Sequence, residues 1–142
     1  MNNAVGDIVF FKNYYFTDDP SGVCKPHYAI VLLPDHLTQF ANNVYCAVIM
    51  SQRPREGYCL QLEQCKYSFF EHDSYIAFAR QDYEALSDLH SGVTQPVGHL
   101  IEADFKVGFK ILKASLYNSR IKTINPHTRA TILREWKKVL HP

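Results

Sequence analysis

None of the four cysteines in this 142-residue chain forms a CxxC pair, and no histidine spacing completes a zinc motif around Cys24, Cys46, Cys59 or Cys65. No metal site is therefore expected. Long apolar runs are missing as well. The longest strictly aliphatic one, Ala29 to Leu33, falls far short of the roughly 20 residues that span a bilayer, so no membrane association is expected. The first residues lack a charged head followed by an apolar stretch, which leaves no signal peptide to expect. The cysteines then read as free, mostly buried thiols in a reducing compartment. No internal repeat or low-complexity segment is visible.

Net charge is also nearly absent, with 15 Lys and Arg against 14 Asp and Glu. Its distribution is uneven. Residues 1–109 hold 7 basic and 13 acidic side chains, whereas residues 110–142 hold 8 basic and 1 acidic. A basic C-terminal end suits either a nucleic-acid or acidic-partner surface, or a tail helix lying against the acidic body. The length points to one domain able to bury a real core, and 46% apolar residues argue against disorder.

What is present reads mainly as strands. Residues 5–12, 27–33 and 45–51 are dense in β-branched and aromatic types, and residues 58–63 and 74–79 follow the same pattern. The runs at 27–33 and 45–51 are almost continuously apolar, which predicts burial on both faces or a tightly curled small barrel. The turn formers Asp19-Pro20-Ser21-Gly22 mark a long loop after the first strand. Residues 35–43 read as a polar loop with room for one helical turn. Residues 81–90 suit either a helix or a strand followed by a turn, and 92–96 a turn.

From Ile101 the apolar period becomes helical, predicting an amphipathic helix of roughly 16 residues. A second helix should start at Asn125 as N-cap with Pro126 in the first turn. Its apolar stripe is Ile132, Leu133, Trp136, Val139 and Leu140, and Arg129, Arg134, Lys137 and Lys138 make the other side basic. The expected class is α+β, mainly β: a small sheet or barrel covered by a C-terminal helix, with an added amphipathic helix behind it.

Four stretches carry a family likeness. Gly6-Asp7-Ile8-Val9 opens the first strand, and His27-Tyr28-Ala29-Ile30-Val31-Leu32 forms the second. Val48-Ile49-Met50-Ser51 ends the third, and Asp73-Ser74-Tyr75-Ile76 precedes Val97-Gly98-His99-Leu100 with Asp104. Their order resembles the MazF/PemK family of type II toxin–antitoxin toxins over about residues 5–117. The resemblance implies an SH3-like barrel in residues 1–118, with residues 119–142 as a basic amphipathic extension of the same domain. It also implies a homodimer, a cytoplasmic location and a cognate antitoxin protein. The implied activity is metal-independent cleavage of single-stranded RNA by attack of the 2′-OH, with no cofactor.

In that family an Arg at the start of the second strand and a Thr or Ser at the end of the third carry the chemistry. Here the Arg position resembles His27. Imidazole is a better proton carrier than guanidinium and a poorer phosphate clamp. Lys25 would supply the missing positive charge if its loop folds back. The hydroxyl position falls on Met50 or on Ser51, depending on which neighbours are aligned, and only Ser51 can donate to phosphate. Further RNA contacts are expected from Arg53, Arg80 and Gln81. Tyr14, Tyr15 and Phe16 could stack on bases, or belong to a core or dimer contact. His72-Asp73 looks like an orienting pair, but strand neighbours point to opposite faces, which discounts it. The alternative function is a catalytically inactive barrel serving as an RNA- or protein-binding module. A third option places nucleic-acid binding on the final helix, so that deleting 120–142 would remove binding and leave the barrel folded.

Overall fold

The computed structural model describes residues 3–14, 25–88, 96–118 and 125–142. Six strands form one sheet: β1 (Asp7–Tyr14), β2 (Lys25–Leu33), β3 (Asn43–Met50), β4 (Cys59–Leu62), β5 (Ser74–Ala85) and β6 (Gly98–His99). Two helices follow, α1 (Glu102–Leu116) and α2 (Pro126–Leu140). The strand order is β4-β5-β3-β2-β1-β6 and every pairing is antiparallel. The chain is thus α+β and mainly strand, its sheet curled into a half-barrel.

The curl has a local cause. The register breaks between Phe11 and Tyr14 in β1, between Val31 and Leu33 in β2, and between Ala47 and Ile49 in β3. Each break adds twist and bend to its strand. At the third, Ala47 pairs with Gln81 but Ile49 with Ile76, so β5 bends sharply between its two halves. Its first half also pairs with β4, through Cys59 to Ala77 and Leu62 to Ser74.

The continuous apolar runs follow from burial on both faces. Along β3, Val44, Cys46 and Val48 join one cluster, and Tyr45, Ala47 and Ile49 the other. In β2, Ala29 and Val31 alternate with Ile30 and Leu32 in the same way. The period-two alternation is intact, but both faces are dry, so it leaves no polar trace in the sequence.

The larger cluster is closed by the helices. Phe105 and Leu112 of α1 and Ile132 and Trp136 of α2 are buried against the sheet. Trp136 stacks on Phe105 with ring centroids 4.4 Å apart and donates Nε1–H to the Leu32 carbonyl at 3.0 Å. Leu32 lies in the β2–β3 register break, so the indole takes up a carbonyl that the ladder passes over. The second helix is therefore built into the main core. Deleting residues 120–142 would uncover that core, contrary to the expectation of a barrel left folded.

At the start of α2, the Asn125 side chain accepts from His127 N at 2.7 Å with Pro126 in the first turn, as its sequence predicts. The expected polar loop at 35–43 contains a short 3-10 turn, Asp35–Leu37. The ambiguous stretch is strand to Ala85 and then a 3-10 turn, Leu86–Asp88. The expected turn at 92–96, apart from Pro96, lies outside the described residues, as do Tyr15, Phe16 and Cys24. Of the described cysteines, all free, only Cys46 is buried; Cys59 is half-buried and Cys65 exposed, which narrows the expectation of buried thiols. Among the described residues no helix is long and apolar enough to cross a membrane.

Several residues of the stretches singled out in the sequence hold the two ends together. Gly6 has φ +87°, and a Cβ there would lie 2.6 Å from the Phe105 ring. Asp7 accepts from Ala4 N at 2.7 Å and from His99 Nδ1 at 2.8 Å, tying β1 to β6. Tyr67 donates to Asp104 at 2.6 Å and accepts from Ile101 N at 3.1 Å, pinning the start of α1. Burial, with that carboxylate beside it, pushes the Tyr67 phenol well above its ordinary range.

Candidate functional site

A groove of about 280 Å³ opens where the start of β2, the end of β3 and the loop before β5 meet. His27, Met50, Ser51 and His72 line it together with aromatic rings. His27 sits opposite Phe11 in the β1–β2 register, half-buried, with its ring edge-on to Tyr14 at 6.1 Å. Ser51 is the first residue past β3, exposed and freed from strand pairing, whereas Met50 still pairs with Tyr75. The two candidate hydroxyl positions therefore border the same groove, and only Ser51 brings a donor to it.

The wall is aromatic. Phe10 and Tyr28 are cross-strand partners with ring centroids 4.8 Å apart. Tyr28 meets Phe70 edge-on at 5.0 Å, and Phe69 packs on Phe70 at 4.6 Å. A Cβ at Gly98 would fall 2.5 Å from the Phe69 ring, so the glycine of β6 lets that ring sit where it does. Such a cluster offers faces on which a nucleobase can stack.

The loop between β4 and β5 brings His72. It is shaped by Asp73, whose carboxylate accepts from Gln61 Nε2 at 3.1 Å and from the Gln64 amide at 2.8 Å. The Asp73 side chain thus turns away from His72, and the suspected side-chain pair is absent. Instead His72 Nδ1–H donates to the Asp73 carbonyl at 2.9 Å. A carbonyl can only accept, so the proton of the neutral ring lies on Nδ1 and its lone pair on Nε2. The discounted His72-Asp73 pair is thus not formed, although both residues lie in the loop before β5 and not on a strand. His72 itself is not among the expected site residues. The signal that could have flagged it is Phe69-Phe70-Glu71-His72, two large rings beside charged residues in a turn.

Of the remaining site candidates, Arg53, Arg80 and Gln81 lie elsewhere. Lys25 pairs with Tyr14 at the mouth of β1 and β2 through its backbone; its side chain lies outside the described residues. Arg53 lies over the Tyr75 ring at 5.1 Å and donates to Cys59 Sγ at 3.5 Å. Arg80 is held by Glu56 through Nε at 2.6 Å and Nη2 at 3.4 Å. That hydrogen bond holds the Glu56 carboxyl below its usual range. Gln81 is buried: it accepts from Tyr45 OH at 2.9 Å and donates to the Phe78 carbonyl at 2.7 Å and to Ser115 Oγ at 3.4 Å. Its amide joins the sheet to α1 and faces no groove. Arg53, Arg80 and Gln81 are not among the residues that line the groove holding His27 and Ser51.

No protein-family model matches this chain, and no curated protein matches it.

The groove lining contains Glu71 and no Lys or Arg among the described residues. Among the described residues, the groups there that can hold an anion are imidazolium, Ser51 Oγ and backbone amides. Among the described residues no three His, Cys, Asp or Glu side chains come together as a metal ion would need. Two imidazoles and a hydroxyl beside an aromatic wall form a constellation suited to moving protons at a phosphodiester.

Proposed function

We propose that the chain is a MazF/PemK-like toxin: a small SH3-like barrel that cleaves single-stranded RNA without a metal. The observation that carries this reading is that His27 on β2 and Ser51 just past β3, 24 positions apart, border one groove with His72 and four aromatic rings. In the proposed reaction neutral His27 takes the proton of the RNA 2′-OH as that oxygen bonds to the adjacent phosphorus. The bond from phosphorus to the 5′-oxygen breaks, and protonated His72 gives that oxygen a proton. The products are a 2′,3′-cyclic phosphate and a 5′-hydroxyl. Ser51 Oγ donates to the oxygens that gain charge at phosphorus. Phe10, Tyr28, Phe69 and Phe70 hold the flanking bases by stacking. A cognate antitoxin protein and a homodimeric assembly belong to the same reading through the family resemblance.

A second reading is favoured by one observation. Met50 shares the groove with Ser51, and among the described residues no Arg or Lys lines it beside His27, which stands where the family has Arg. A barrel with that lining would bind RNA or a protein segment without cutting it.

Incubating mixed single-stranded RNA with the purified protein in EDTA, alongside His27→Ala, separates the two. Cleavage by wild type that disappears in the variant supports the nuclease. RNA retained without cleavage by a folded wild type supports the binding module. Cleavage that survives His27→Ala overturns the assignment of this groove.

A further inference from the structure

A second groove, of about 760 Å³, runs between the outer faces of α1 and α2, away from the His27 groove. Phe109, Leu133 and Leu140, each half-buried, supply its apolar lining. Lys106, Lys110 and Lys113 recur at helical spacing along its α1 edge. Arg134 and Lys137 face them from α2. Among the described residues no acidic side chain lines it. Lys106 and Arg134 have carboxylate neighbours on their own helices, Glu102 at 3.5 Å and Glu135 at 3.7 Å. Lys110, Lys113 and Lys137 have no carboxylate partner among the described residues.

We infer that this groove docks an acidic amphipathic helix of a partner protein. The apolar lining takes leucine-like side chains at i, i+3, i+4 and i+7, while the flanking lysines meet glutamates on either side of that stripe. From Lys106 to Tyr117 the α1 edge runs roughly 16 Å, enough for about three turns of a docked helix. Five like charges around an uncovered apolar strip repel one another, and an acidic occupant relieves both the repulsion and the exposure.

Nucleic acid fits this surface less well. Four of the five cations named are lysines and one is an arginine, so the bidentate forks that favour phosphate are few. Tyr117, a strongly exposed phenol ring at the groove, has a face covered by the Arg129 guanidinium at 4.7 Å. The apolar strip between the cations gives a phosphate backbone nothing to bind.

The probe is a fluorescein-labelled helical peptide of about 15 residues with leucines on one stripe and glutamates on the flanks. Binding is followed by fluorescence anisotropy. A control peptide carries serines in place of the leucines, and a single-stranded RNA and anionic phosphatidylglycerol vesicles are run in parallel. We expect the leucine peptide to bind, and to lose affinity about tenfold or more in the triple variant Lys110→Glu, Lys113→Glu, Lys137→Glu. A similar loss is expected for the serine peptide, with far-UV circular dichroism showing that the variant is folded. His27→Ala should leave peptide binding unchanged, which separates this face from the first groove. The inference is overturned if the peptide does not bind, or if it binds equally with serines. It is also overturned if RNA or vesicles bind in its place and are lost in the triple variant. Self-association of the wild type lost in that variant would assign the face to a second copy and overturn it too.

Discussion

Replacing Trp136 tests whether the last helix is part of the core. In Trp136→Phe the ring stack on Phe105 and the edge contact with Phe78 at 6.4 Å largely survive, but the bond to the Leu32 carbonyl is lost. That carbonyl is fully buried at a register break, so leaving it unpartnered costs about 1–3 kcal/mol. Trp136→Ala also opens a cavity beneath both helices, for a total of about 3–5 kcal/mol. Against a stability of roughly 5–15 kcal/mol for a domain, the second variant loses much of its margin. Urea unfolding followed by far-UV circular dichroism is the assay, since Trp136 is the only tryptophan and its fluorescence goes with it. With a slope of roughly 2 kcal/mol/M, the midpoint falls by about 0.5–1.5 M for the Phe variant and by about 2 M for the Ala variant. A Phe variant that unfolds with wild type would refute the role of the indole bond. An Ala variant as stable as wild type would refute the placement of α2 in the core.

Three further outcomes follow from the same packing. Burial pushes the Cys46 thiol and the Tyr14 and Tyr45 phenols up, so the folded state keeps protons that the unfolded chain gives away. Their contribution is complete below the unfolded values and fades above them. Stability should therefore fall as pH rises past about 8.5 and faster past about 10, and a urea midpoint unchanged between neutral and strongly alkaline pH would contradict this. Gly6→Ala should cost about 2–4 kcal/mol in thermal or urea unfolding, because the positive φ and the Phe105 ring both oppose a Cβ; a loss under about 0.5 kcal/mol would show that the ring gives way. Arg80→Ala should cost no more than about 1 kcal/mol, since its pair with Glu56 is about a third exposed, and RNA cleavage by the variant should persist; loss of cleavage would return Arg80 to the site.

How far the fold could be read ahead depended on which signals are local. The runs in β2 and β3 announced two-sided burial because both faces are dry. The start of α2 was legible because Asn125 and Pro126 act on their own first turn. The second half of β5 was not, because Gln81-Asp82-Tyr83-Glu84 looks solvated until the partners of Gln81 on β3 and α1 are known. The same blindness made Gln81 an RNA-contact candidate: residue type says polar, not which face. His27 and Ser51 could be paired only through the family resemblance, since nothing in their spacing brings them to one groove. The His72-Asp73 side-chain pair was rightly discounted, but the place of His72 at the groove was not legible, because it depends on a loop held by Asp73 bonding Gln61 and Gln64.

The central claim is that the His27 groove cleaves RNA through the 2′-oxygen, and the chemistry of the product ends tests it most directly. An RNA cut by the wild-type protein in EDTA should be compared with the same strand carrying a single 2′-deoxy nucleotide at the cleaved position. The account predicts 2′,3′-cyclic phosphate and 5′-hydroxyl ends from the first and no cleavage at that position in the second. Cleavage of the deoxy-substituted strand, or products with 3′-hydroxyl and 5′-phosphate ends, would contradict it.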